Sequence, residues 1–159
     1  MGMSLEDVAE LLTEAEIQFE ASEDGGILRA IFTTDPEEFV DLDGNPSLAM
    51  FFMADEKAVT IHTEALLDVS KARFRGPLGQ AVLEFTSNYN FVRARYLQDP
   101  LSLILSMEYL LEDGALTPAQ LKSAVEHLLD CSIIAKPFLQ AAMDTGKVDT
   151  SLILPPEEG

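Results

Sequence analysis

Residues 101–121 read LSLILSMEYLLEDGALTPAQL, and this stretch decides the fold because it joins a strand, a turn and the start of a long helix. Apolar residues occupy the odd positions of its first half, with Ser102, Ser106 and Glu108 between them. This period of two predicts a strand with one face in a core. The acidic residues and glycine at 112–114 predict the turn that ends it.

A long helix is predicted to begin after Thr117. The Thr117 side chain suits the N-cap, Pro118 suits the first helical position, and Gln120 stands where the second partner of a capping box belongs. Pro137 lies within the helical pattern, and it predicts a kink or break in the turn before it because proline removes one backbone donor. Gly146 is predicted as the C-terminal cap.

Upstream, the sequence predicts a helix capped by Ser4, two hairpins and a middle helix. The spacing of apolar residues predicts the stripe of the middle helix: Leu78, Ala81, Val82, Phe85 and Tyr89. The predicted strands are residues 17–21, 27–34, 48–54, 59–64, 93–98 and 101–111. The order helix, two strands, two strands, helix, two strands, helix predicts an α+β fold, an antiparallel sheet with three helices packed on it.

The 159-residue length suits one domain, which we expect to span residues 1–146 and to be followed by a flexible acidic tail, residues 147–159. No apolar run reaches the ~18 residues that a membrane span needs. The acidic N-terminus does not resemble a signal sequence, and the lone Cys131 fits a reducing compartment, so we expect a cytoplasmic protein.

The formal net charge of −18 is unevenly distributed. Residues 1–43 contain 13 acidic residues and one base, Arg29, which is a net charge of −12. A field of this sign repels nucleic acid and anionic lipid, so we expect neither direct nucleic-acid binding nor membrane binding. It attracts a basic protein partner, although acidic side chains that serve only solubility are the plainer interpretation.

One pair of side chains suggests catalysis. His127 and Cys131 are one helical turn apart, so a small metal- or thiol-dependent enzyme is the alternative function. Two ligands do not hold zinc, and neither a third group nor an oxyanion hole is evident. A buried cysteine packed as a small hydrophobic residue is the plainer interpretation. We therefore predict no catalytic residue, no metal and no cofactor.

Two loop motifs are weaker still. Asp41, Asp43 and Gly44 resemble part of a calcium loop, but the frame places apolar residues at the first and twelfth ligand positions, so a turn is favoured. Residues 76–79, GPLG, resemble the nucleic-acid-clamping loop of KH domains, but the proline and the acidic chain disfavour that function.

Half of the ten basic residues form a candidate basic patch: Lys71, Arg73, Arg75, Arg93 and Arg95. These side chains either pair with the acidic first helix, within the chain or across a dimer, or form a patch for an anion or an acidic peptide. The pattern leaves both interpretations open.

The apolar run at residues 48–54 predicts a binding surface. Leu48, Met50 and Phe52 face one way on the predicted strand, and its other face is apolar too. Helices on one side of a sheet leave the second side uncovered, so we expect these three residues to contact a partner. Leu83 lies off the stripe of the middle helix, and we expect it at a dimer contact.

The chain resembles the YbjN-like family, whose fold is that of type III secretion chaperones. The resemblance is strongest over residues 78–143. It depends on the following segments: Asn88-Tyr89-Asn90, Arg93-Ala94-Arg95-Tyr96, the strand at 101–111, Asp113-Gly114 and Thr117-Pro118-Ala119-Gln120-Leu121. The chain has no Trp, a departure from some members.

The resemblance implies a small acidic chaperone-like protein that dimerises and wraps an extended segment of a client, or a stress-linked regulator. It implies no enzyme. Together with the charge, it predicts a non-enzymatic adaptor or regulator that binds a basic partner, such as a nucleic-acid-binding or stress and repair protein.

Overall fold

The computed structural model describes residues 2–111 and 114–154. Glu112 and Asp113 of the predicted turn, and residues 155–159 of the predicted tail, lie outside the described residues. The helices are α1 (Leu5–Glu14), α2 (Arg75–Asn88) and α3 (Pro118–Thr145), with short 3-10 helices at Val69–Lys71 and Thr150–Leu152. The strands are β1 (Glu20–Ala21), β2 (Leu28–Thr33), β3 (Ser47–Ala54), β4 (Ala58–Thr63), β5 (Leu67–Asp68), β6 (Arg93–Leu97) and β7 (Ser102–Leu110).

All pairings in the sheet are antiparallel. β1, β2, β3 and β4 follow one another, and β7 pairs with β4 and then with β5. β4 and β5 meet successive parts of β7, so they lie end to end along one of its edges. β6 pairs with residues 102–106 of β7, three of which also pair with β4 or β5, so it occupies the other edge and ends the sheet. The predicted α+β class, with an antiparallel sheet and three helices, is confirmed.

The three helices cover one face of the sheet. Their buried side chains share one core cluster with alternate residues of the strands, for example Leu28, Met50, Ile61 and Leu105. Ala49 and Ile104 are buried but lie outside that cluster, because they point to the other face. We call the face away from the helices the open face.

Capping agrees with the sequence pattern at both ends of α3. The Thr117 hydroxyl accepts the Gln120 N–H at 3.1 Å, and the Gln120 side chain accepts the Thr117 N–H at 2.9 Å. Gly146 ends the helix with a φ of 77°, a conformation that favours glycine. Of the kink or break predicted at Pro137, the break does not occur: α3 is continuous through Pro137, which lies on its exposed side, and the kink stays a prediction.

Residues 147–154 differ from the flexible tail predicted from Lys147. They fold back onto the helices, where Ile153 is buried and its carbonyl accepts the Tyr89 hydroxyl at 3.0 Å. The physical reason is the apolar run at residues 152–154, which removes surface from water when Ile153 enters the core.

Candidate protein-binding surface

The open face is organised around one row of side chains that crosses the sheet. The strand register aligns one residue from each of five neighbouring strands, β2, β3, β4, β7 and β6. In that order they are Arg29, Phe51, His62, Ser106 and Arg93. Four strand spacings separate the two arginines, which is roughly 19 Å. The row therefore has an aromatic centre and a cation at each end.

The aromatic centre is a stacked pair. The Phe51 and His62 rings lie 5.1 Å apart at an interplanar angle of 20°. His62 Nδ1 lies 2.9 Å from the Thr63 carbonyl oxygen, which holds the imidazole in position. Both side chains are half-buried, so the stack presents an edge to solvent.

Apolar side chains surround this row without a covering element among the described residues. Ile31 is 54% exposed and Leu110 is 74% exposed, and Met53 beside the row is half-buried. A soluble domain often has such residues singly, but here they share one face with Phe51. The open face therefore combines apolar, aromatic and arginine side chains, the types that are enriched at protein interfaces.

The predicted partner contacts are wrong, because these residues lie on the face of the strand that the helices cover. Leu48, Met50 and Phe52 are each 0% exposed and pack beneath the helices. The β3 run is apolar on both faces, so its sequence does not distinguish the covered face from the uncovered one. The residues of β3 that reach the open face are Phe51 and Met53.

A pocket of about 280 Å³ lies at one end of the open face, under the β1–β2 hairpin. Ile27 and Phe51 supply its apolar lining. Arg29 and Glu20 stand at its rim as an ion pair of 3.1 Å. The pocket has room for one apolar side chain of a bound segment, next to a cation.

The predicted basic patch divides into two groups. Arg93 and Arg95 are exposed on the open face of β6. Lys71, Arg73 and Arg75 lie between β5 and the start of α2, where Lys71 Nζ is 3.4 Å from Asp68 and the Arg73 guanidinium is 5.8 Å from the centre of the Phe74 ring. Within residues 2–111 and 114–154 none of them forms an ion pair with α1, so pairing with the first helix within the chain is not observed, and pairing across a dimer stays a prediction.

The candidate dimer contact, Leu83, is 70% exposed on α2. The buried residues of that helix are Leu78, Ala81 and Phe85, with Val82 and Tyr89 half-buried, which matches the predicted stripe. Leu83 therefore projects away from the core, and its role at a dimer contact stays a prediction.

The His127–Cys131 pair is in contact, with Nε2 and Sγ 3.7 Å apart. Burial raises the pKa of the Cys131 thiol to about 11, and the Asp130 carboxylate adds to the rise. Because the thiolate is the nucleophile and the metal ligand, this shift disfavours the reactive form of Cys131 at neutral pH. No group of three His, Cys, Asp or Glu side chains arranged for a metal occurs in the part of the chain that the structure describes.

The calcium-loop-like motif at residues 41–44 and the KH-like motif at residues 76–79 both have structural roles. Asp41 Oδ1 accepts the backbone N–H of Asn45 at 2.8 Å and that of Asp43 at 2.9 Å, which closes a turn. These hydrogen bonds lower the pKa of Asp41. Residues 76–79 lie inside α2, so they form no clamping loop.

A lysine clamp on α3 was missed at the sequence level. The Lys136 ammonium lies 4.9 Å from the centre of the Phe39 ring and donates a hydrogen bond to the Val40 carbonyl. Partial burial lowers the pKa of Lys136, while the carboxylates of Asp41 and Glu64 oppose the shift. The clamp holds the loop between β2 and β3 against α3. No local pattern indicates it, because the partners are almost one hundred residues apart.

Comparisons with known proteins identify the fold. No family model matches the chain, and no curated protein sequence is significantly similar to it. YbjN from E. coli, described as a candidate transcription regulator, superposes with a TM-score of 0.61 at 12% sequence identity, covering 87% of this chain and 91% of YbjN. An uncharacterized protein from Methanothermobacter thermautotrophicus gives a TM-score of 0.48 at 12% identity, covering 89% and 99% of the two chains. The chain has a YbjN-like fold, as the sequence resemblance predicted.

The described helices include none with the length and apolar character that crossing a membrane requires.

Proposed function

We propose that this protein is a non-enzymatic, chaperone-like adaptor or regulator that dimerises and binds a partner protein through the open face of its sheet. The observation that supports the proposal is the uncovered face itself. Ile31 and Leu110 remain exposed there, on either side of the Phe51–His62 stack. Burying such a face against a partner removes apolar surface from water and gains about 25 cal/mol per Å².

The chemistry of the best catalytic candidate favours a binding role. Cys131 is 1% exposed and its pKa of about 11 keeps it protonated at neutral pH. Its contact with His127 fits packing on α3. We therefore propose no enzyme activity, and we propose the cytoplasm as the setting, where a lone thiol stays reduced.

The partner we propose is a basic protein, such as a nucleic-acid-binding or stress and repair protein. The exposed carboxylates of α1, at Glu6, Glu10 and Glu14, give that side of the molecule a strong negative field. Such a field steers oppositely charged partners and speeds their association. A regulatory role carried out through a protein, with no contact to DNA, agrees with the net charge of −18 and with the description of YbjN as a candidate transcription regulator.

The dimer that we propose uses α2. A two-fold dimer brings the same patch of both copies together, so an exposed apolar residue on a helix is matched by its own copy. Leu83 is such a residue. Light scattering of Leu83→Glu beside the unchanged protein tests this: we expect the mass to fall to that of the monomer.

Affinity purification from the source cell tests the binding face. The double variant Ile31→Glu, Leu110→Glu places two charges on the open face. The matched control is Leu42→Glu, Leu152→Glu, because these residues are 50% and 47% exposed away from that face. We expect the unchanged protein and the control to retain the same partner, and the open-face variant to lose it by roughly tenfold or more, which corresponds to about 1.4 kcal/mol. Equal recovery by both variants, with folding verified by circular dichroism, would contradict the proposal.

A further inference from the structure

β6 is an edge strand with one free side. It runs from Arg93 to Leu97 and pairs with β7. Within the described residues no second strand or loop forms backbone hydrogen bonds with it. The other strands that end the described sheet, β1 and β5, contain two residues each, so β6 is the longest of its terminal strands.

The free side of β6 presents unsatisfied backbone groups to solvent. An edge strand leaves a row of N–H and C=O groups without strand partners, and an extended segment can pair with them. All residues of β6 except Ala94 are exposed. The side chains that flank this edge are therefore accessible to a bound segment.

Two arginines mark the open-face side of this edge. Arg93 and Arg95 are opposite Ser106 and Ile104 of β7, so they project to the same face. Two residues of strand rise place their Cα atoms about 7 Å apart. The same spacing separates alternate residues of any strand laid beside them, so carboxylates at alternate positions meet both guanidinium groups.

The same charges disfavour pairing of β6 with a second copy of itself. A two-fold antiparallel pairing centred on Ala94 puts Arg93 of each copy opposite Arg95 of the other. A pairing centred on either arginine puts it opposite its own copy. Like charges directly opposite each other are destabilising. The edge is therefore complementary to an acidic strand, and the three registers centred on residues 93–95 are disfavoured for pairing with its own copy.

We infer that the free edge of β6 binds an extended acidic segment of a partner protein, which adds to the sheet as an antiparallel strand with Glu or Asp at alternate positions facing Arg93 and Arg95. The residues between those acids lie on the helix side of the sheet, next to Tyr96, which is 43% exposed. This inference depends on the proposed protein-binding function and adds the chemistry of one part of the partner.

The net charge of −18 does not exclude an acidic ligand at this edge. At physiological ionic strength the Debye length is about 8 Å, so distant carboxylates act weakly on a segment in contact with the two arginines. The acids are concentrated in residues 1–43, whereas β6 lies at the end of the sheet opposite to β1.

The test uses synthetic fluorescent peptides and the full chain. One peptide alternates Glu with Val and Thr, a second has the same composition with its Glu residues consecutive, and a third replaces Glu by Lys. We expect fluorescence anisotropy to detect binding of the first peptide only. The variant Arg93→Glu, Arg95→Glu should weaken it about tenfold or more and should bind the Lys peptide instead. The matched control, Lys122→Glu, Lys147→Glu, makes the same charge change at two exposed lysines outside the basic patch and should leave affinity unchanged.

Backbone methylation separates strand addition from simple charge attraction. A strand points alternate N–H groups towards its neighbour, so N-methyl groups at one set of alternate residues should abolish binding and at the other set should leave it intact. Equal loss at both sets, or equal weakening by the two charge-reversal variants, would overturn the inference. So would light scattering and amide exchange showing that residues 93–97 are protected in a dimer, since a second copy would then occupy the edge. The purification with the Ile31 and Leu110 variant tests the proposed function separately.

Discussion

Replacing Phe51 and Phe52 separately by alanine tests which face of β3 is covered. Phe52 is 0% exposed in the core between the sheet and the helices, whereas Phe51 is half-buried on the open face against His62. Removing a fully buried phenylalanine costs about 3–5 kcal/mol, since the transfer free energy is lost and a cavity remains. Phe51→Ala removes a side chain that is only partly buried, together with one aromatic stack, so we expect a smaller loss of about 1–2 kcal/mol.

Urea denaturation monitored by circular dichroism measures both free energies of unfolding. In a chain of this size each kcal/mol shifts the Tm by about 2–4 °C, so Phe52→Ala should lower the Tm by roughly 6–20 °C and Phe51→Ala by a few degrees. Phe52→Leu serves as the milder variant if Phe52→Ala does not fold. Equal losses for Phe51→Ala and Phe52→Ala, or a greater loss for Phe51→Ala, would refute the assignment of the helices to the Phe52 face.

Three further predictions concern α3 and its contacts. Thr117→Ala removes the hydroxyl that accepts the Gln120 N–H, and urea denaturation should show a loss of about 1 kcal/mol in the free energy of unfolding. The control Lys122→Ala, at an exposed position of the same helix, should cost under about 0.5 kcal/mol. Lys136→Met should leave the Val40 carbonyl without its donor and speed amide exchange in residues 35–46 by roughly tenfold, with exchange in β7 unchanged. The pKa of Cys131 is raised from the ordinary 9.0 to about 11, so the folded state retains the thiol proton to higher pH than the unfolded state does, and stability should fall as the pH rises from about 9 to 11. Cys131→Ala should flatten that part of the stability–pH curve. A curve that the substitution leaves unchanged would contradict the raised pKa of Cys131.

Local patterns in the sequence are sufficient for the elements that depend on near neighbours. The capping box at Thr117 and Gln120, the glycine cap at Gly146 and the stripe of α2 each require residues within a few positions of one another. Their outcome follows from backbone geometry and from the period of the apolar residues. The same is true of the fold class, because the order of helices and strands follows from those periods.

Pro137 is the local feature whose predicted break does not occur. Its ring and its missing N–H favour a break, yet α3 continues through it. The helix packs along its whole length through residues such as Leu128, Ala135 and Leu139, and this burial outweighs one lost hydrogen bond. Because the proline faces solvent, the freed carbonyl can bond to water.

The sequence by itself determined the three helices, six of the seven described strands, the caps of α1 and α3 and the uneven charge, since each of these depends on residue type and spacing; it did not predict β5. Only the tertiary structure decided that Phe51 and not Phe52 reaches the open face, because β3 is apolar on both sides and the choice is made by where the helices pack. It also decided that Arg29, His62 and Arg93 share one row, because strand register joins residues up to 64 positions apart through backbone pairing. No local period encodes such a row.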